Sequence, residues 1–151
     1  MTSVLSVRVF TGANAGTMSA AQTTVDLCAA DALSGGSVMP GTVSYERWVA
    51  LRVDTAPDRG ATNFWVENTG DLPTGVSLKF GVTDDPATPV NTTSTVATMD
   101  LASGRRYIYD NAVYTEVGDL TRYLVFQEVV ANGAPSGAID PQSLDFGWVE
   151  A

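Results

Sequence analysis

Histidine is absent from the 151 residues of this chain, and cysteine and lysine occur once each, as Cys28 and Lys79. Each shortage removes a class of chemistry. Histidine is the commonest general acid or base near neutral pH and the commonest metal ligand. Without it, Ser-His-Asp and Cys-His triads and histidine zinc sites are excluded. One cysteine builds neither a thiolate cage nor an intramolecular disulfide, so the fold requires no oxidising compartment. Cys28 reads as a small buried hydrophobe. Long apolar runs are missing too, and no stretch approaches the roughly 20 residues of a membrane span. At the start, Met1-Thr2-Ser3-Val4 has no basic stretch, and Ser6 and Arg8 break the apolar run that follows, so no secretory signal is expected.

What is present is acid and apolar bulk. Seventeen Asp and Glu face eight Lys and Arg, for a net charge of −9 and a pI near 4.1. A surface this negative repels phosphate backbones and anionic lipid, so neither nucleic acid nor a membrane surface is expected as a partner. The chain is 44% hydrophobic, with three Trp, five Tyr and five Phe, which is ample for a packed interior. The length fits one domain, residues 1–151.

Period two dominates the pattern. Val76, Leu78, Phe80 and Val82 alternate with Ser77, Lys79, Gly81 and Thr83, one apolar face against one small or polar face. Leu5, Val7 and Val9 alternate with Ser6, Arg8 and Phe10. From Tyr45 to Val53, Arg47, Val49 and Leu51 share a side, opposite Glu46, Trp48, Ala50 and Arg52. Tyr123 to Val130 is apolar on both faces, as in a central strand, and Leu144, Phe146 and Trp148 form a last alternating set. Turn compositions separate these runs at Asn68–Gly75, Asp84-Asp85-Pro86, Ser34-Gly35-Gly36 and Asn132-Gly133-Ala134-Pro135. Tyr107 to Val117 reads as a hairpin or irregular loop around Asp110-Asn111. A short helical turn near Ala29 to Leu33, opened by Asp26 or Asp31, is the best helical candidate. The expected fold is an all-β antiparallel sandwich of about seven to nine strands, immunoglobulin-like or jelly-roll-like. Residues 1–22 read either as an N-terminal contact arm or as a first strand with a long loop.

No constellation commits the chain to catalysis. Asp84, Asp85 and Asn91 offer oxygen atoms to calcium, but no Asp-x-Asp-x-Asp loop accompanies them. Glu46, Glu67, Glu116 and Glu128 lie on or near expected strands, yet nothing pairs two of them for glycoside hydrolysis. Leu72-Pro73-Thr74-Gly75 lacks the extra residue of a sortase signal and reads as a proline-stiffened turn. Asn91-Thr92-Thr93 matches a glycosylation sequon, with no secretion to give it meaning. Arg105-Arg106 is too short for a nucleic-acid patch and suits carboxylate pairing, locally or at a subunit contact. Trp48, Trp65 and Trp148 serve either as packing residues or as a sugar-stacking platform. No catalytic, cofactor-binding or metal residue is assigned, and no cofactor is expected.

The stretch from Tyr45 to Thr98, YERWVALRV followed by ATNFWVENTGDLPTGVSLKFGVTDDPATPVNTTSTVAT, carries a further signal. It resembles small β-sandwich virion structural proteins of tailed bacteriophages. The shared pattern is a YERWV-L strand, an F-W-V strand, an LPTG turn, a strand ending FGVT and a TPVN-STVAT strand. YLVFQEVVANGAPSG and LDFGWVE match as the last two strands. The resemblance begins near residue 43 and leaves out the first 40 residues. It implies a capsid decoration or cement protein without chemistry, made in the host cytoplasm and located on the capsid surface of the virion. Its implied partners are the major capsid protein and further copies of itself, as a homotrimer. A tail, neck or head-fibre component and a carbohydrate-binding β-sandwich module are the alternative readings.

Overall fold

The alternating run at residues 76–83 is one of nine strands in a computed structural model that describes residues 3–23, 25–27, 30–33, 38–56, 58–134 and 144–151. In chain order they are β1 (Val4–Thr11), β2 (Thr17–Met18), β3 (Arg47–Thr55), β4 (Ala61–Asn68), β5 (Val76–Thr83), β6 (Met99–Asp100), β7 (Arg106–Asp110), β8 (Tyr123–Val130) and β9 (Leu144–Glu150). A six-stranded sheet runs β2-β1-β3-β8-β5-β6 and a three-stranded sheet runs β7-β4-β9. Every strand pairing is antiparallel. The protein is an all-β, two-sheet sandwich, with a strand count at the upper end of the range its alternation predicts.

Between the sheets lies the main core. Val49 and Leu51 of β3, Leu78 and Phe80 of β5, and Leu124 and Phe126 of β8 meet Phe64 and Val66 of β4, all buried. These positions follow period two on each strand, which is why their alternation was visible in the sequence. Part of the opposite face of the large sheet is buried as well. There Trp48, Ala50 and Val125 pack with Phe10, Ala15 and Ala97, and Tyr123 stands edge-on to Phe10 at 5.2 Å between ring centroids. The two apolar faces of β3 and β8 therefore serve two cores.

One alternative is decided and two expectations change. Residues 4–11 are a sheet strand whose pairing with β3 runs from Val4↔Thr55 to Phe10↔Trp48. The following chain turns back along it, Ser19 and Gln22 donating backbone hydrogen bonds to the Val9 and Val7 carbonyls. Of the two readings of residues 1–22, the described residues 3–22 take the second, a first strand followed by a loop that returns along it through β2 and a bridge at Gln22. The TPVN-STVAT stretch is not a strand. Pro86 and Pro89 lack the amide a ladder needs, and β6 begins only after it, at Met99. Around Ala30–Leu33 the described chain forms bends, not a helical turn. Cys28, Ala29, Ser34-Gly35-Gly36 and Pro135 lie outside the described residues.

Candidate functional site

The carboxylates considered for chemistry take separate places. Glu46, just before β3, is buried beneath the chain that crosses from β5 to β6. Its carboxylate accepts from the Val90 amide at 3.2 Å, from the Trp48 indole at 3.4 Å and from the Ser94 hydroxyl. Gln127 of β8 completes the clamp. Its Oε1 accepts from the Ser94 amide at 2.9 Å, while its Nε2 donates to the Thr92 carbonyl at 2.7 Å and the Ser44 carbonyl at 3.0 Å. The crossing chain joins no strand ladder; apart from the Glu46 amide, which donates to the Val90 carbonyl at 2.8 Å, the side chains of Glu46 and Gln127 satisfy its peptide groups. It presses so closely that a Cβ added at Gly81 would fall 1.9 Å from the Val96 carbonyl oxygen. Asn91-Thr92-Thr93 belongs to this pinned segment.

Glu67 of β4 faces outward and pairs with Arg106 at 3.4 Å. Glu116 is exposed in the loop after β7. Glu128 of β8 is buried opposite Leu78 in the sheet register, and burial raises its pKa. Asp84 receives the Arg122 guanidinium at 2.8 Å, and the Asp85 amide donates to the Thr83 hydroxyl in a turn. Among the described residues no three of Cys, Asp and Glu gather as metal ligands do.

Between β7 and β8 the structure holds a polar network that the sequence did not announce. Asp110, buried at the end of β7, accepts from the Tyr114 hydroxyl at 2.7 Å and the Arg122 amide at 2.9 Å through one oxygen, and from the Ala112 amide at 2.9 Å through the other. Tyr109 shares a hydrogen bond with the Thr121 hydroxyl at 3.2 Å. Burial raises both phenol pKa values, helped at Tyr114 by the bond to Asp110, so both hydroxyls stay protonated. Above this network lies a shallow cleft of about 270 Å³, lined by Asp84, Tyr114, Leu120, Thr121, Arg122 and Tyr123. Its residues hold one another: the only acid in the lining is bonded to the only guanidinium. Asp110-Asn111 read as a turn because two partners of Asp110, Ala112 and Tyr114, are local; the sequence does not show that the Arg122 amide closes the network from the far end of the loop.

The tryptophans do not form one platform. Trp48 is 1% exposed, in the second core. Trp148 donates its indole N–H to the Ser3 hydroxyl at 2.7 Å, and Ser3 also donates its amide to Glu150 at 2.8 Å, tying the start of the large sheet to the last strand of the small one. Trp65 lies on the outer face of the small sheet. The Arg106 guanidinium stands over its ring at 3.7 Å from the centroid, and a Cβ at Gly147 would fall 2.1 Å from that ring. The outer face of this sheet is therefore a cation-capped indole, flanked by Ile108 and Val149, which are about half exposed.

Charge is arranged as carefully as packing. Arg8 and Arg52 both reach Asp54, Lys79 reaches Asp100, Arg122 reaches Asp84 and Arg106 reaches Glu67. These five cations each touch one of four carboxylates, and Arg47 is buried, its Nε bonded to the Asp26 carbonyl. The acid excess is left to dominate the surface. No family model, curated protein or solved structure matches the chain.

Proposed function

We propose that this chain is a non-enzymatic structural protein of a bacteriophage virion, which binds the outer surface of the capsid through the major capsid protein and decorates or stabilises the shell. The observation that carries the reading is the pattern from Tyr45 onward placed on the fold. YERWV-L runs into β3, F-W-V lies in β4, FGVT ends β5, YLVFQEVV is β8 and LDFGWVE is β9. The pattern thus lies on five of the strands that build the main core, which β1 and β7 complete, and nothing in it requires a reactive group.

Electrostatics support the same reading. A protein that must not bind DNA before docking benefits from a surface whose cations are mostly paired with its own carboxylates. Docking gains strength when several copies are joined, because each bound copy raises the effective concentration of the next. The sugar-binding reading has less support: Trp48 is buried and the face of Trp65 is occupied by Arg106.

The test mixes purified protein with capsids that lack it, then measures bound copies and the capsid melting temperature. Saturable, stoichiometric addition with a raised melting temperature is expected. Absence of binding, or antibody labelling of virions at the tail alone, overturns the proposal.

A further inference from the structure

The small sheet has two outer strands, β7 and β9, and among the described residues each pairs with β4 alone. Unpaired edges offer rows of amides and carbonyls to another chain. The large sheet ends in two-residue strands at both edges, whereas β7 has five residues and β9 seven. The longer open edges therefore belong to the small sheet. Both outer strands run antiparallel to β4, and so parallel to each other.

Their charges are opposite and level. Glu67 of β4 stands across from Arg106 on one side and Asp145 on the other. Arg106 and Asp145 also share the outer face. The Arg106 guanidinium lies over Trp65, and the Trp65 ring lies against Gly147, two residues beyond Asp145 on the same side of β9. Asp145 is exposed and the Arg106 side chain is 52% exposed. Exposed Ile108 sits on β7 and exposed Val149 on β9.

We infer that β7 of one copy docks beside β9 of a second copy of this chain, head to tail, with Arg106 facing Asp145 of its neighbour. Rotation about an axis parallel to the strands brings these edges together without changing level, so parallel strands meet with the cation opposite the carboxylate. Copies carrying a net charge of −9 repel, and association needs a local match of this kind to overcome it. Both halves of the match lie on this chain, which makes a second copy the occupant. A contact between two different edges is heterologous, and it closes into a ring where its rotation closes and runs on as a filament where it does not; a ring of three would be the trimer that the capsid reading uses. The inference deepens that reading, and its readout is mass in solution, so the two fail independently.

The experiment is sedimentation velocity over a micromolar concentration series, in low and high salt, on the full chain and on Arg106→Glu, Asp145→Arg and the combined variant. The unaltered chain should form oligomers, a closed trimer among them if the ring closes at three, and these should weaken as salt rises. Each single change should weaken association about two- to fivefold per contact, the scale of an exposed charge pair, and the combined variant should restore it. Arg106 also touches Glu67 and Trp65, so Asp145→Arg, at an exposed position, is the decisive single change. A monomer throughout the series, an unaffected Asp145→Arg, or a combined variant as weak as either single one overturns the inference.

Discussion

Glu46 and Ser94 are 48 positions apart in the chain, yet the Ser94 hydroxyl donates to the Glu46 carboxylate inside the protein. That contact closes the crossing chain between β5 and β6 over Trp48. The Ser94 hydroxyl accepts in turn from the amides of Val96 and Ala97 at 3.1 and 2.8 Å, so one carboxylate organises a whole turn.

Truncating Glu46→Ala leaves the Ser94 hydroxyl and the Val90 amide without their acceptor in a buried site. Loss of hydrogen bonds to a charged group costs about 1.5–3 kcal/mol, and denaturant melts should show a loss in that range. A loss below about 0.5 kcal/mol would mean that the crossing chain does not need this clamp. Glu46→Gln keeps an acceptor and should fall between the two.

Phe80 is 3% exposed between the sheets and stands 4.8 Å, ring to ring, from Tyr107. Phe80→Ala should cost about 3–5 kcal/mol. Gly81→Ala, one residue away, acts by the opposite route, because its new methyl meets the Val96 carbonyl and overpacks the second core at a cost of about 1–3 kcal/mol. Chemical melts of both variants check the register of β5; an unaffected Phe80→Ala would place that side chain outside the core.

Removal of residues 1–22 should unfold the protein. It takes away β1, whose Val9 and Phe10 contribute to both cores, and leaves the full length of β3 unpaired on one side. Circular dichroism of the truncated chain should show no cooperative melting. A folded truncated protein would show that the remaining strands suffice without β1.

The Glu128 carboxyl should make stability depend on pH. Burial raises its pKa above the ordinary value of 4.5. The folded state then holds this proton more tightly than the unfolded chain does. No penalty exists below pH 4.5, where both states are protonated. The penalty grows as pH rises toward the folded pKa and is complete above it. Glu128→Gln should therefore be more stable than the unaltered protein at pH 7 and close to it at pH 4. Thermal melts at the two pH values check the difference, and equal shifts at both would locate the effect in packing instead.

Legibility followed the range of the interactions. β5 and β8 were visible because adjacent residues point to opposite faces and one or both faces are buried. β4 was visible only through the resemblance, since Asn63, at φ 51°, sits in a bulge that breaks its alternation. The TPVN-STVAT stretch has the valines and threonines of a strand, but its ladder was replaced by Glu46 and Gln127, contacts no local pattern encodes. The Asp110 network was equally hidden, because Arg122 and Thr121 reach it from another part of the chain.

Residue types alone determined what chemistry is excluded: with no histidine and one cysteine, triads and thiolate cages have no parts. Period two alone determined an all-β protein, because alternation is a property of neighbouring residues on one strand. Only the tertiary structure decided that Trp48 is core while Trp65 is capped by Arg106, that the chain after β1 folds back along it as β2, and that Arg106 and Asp145 stand level on opposite edges. Those outcomes depend on which strands pair and in what register. Register is fixed by burial across two sheets, a sum over distant residues that no window of the sequence contains.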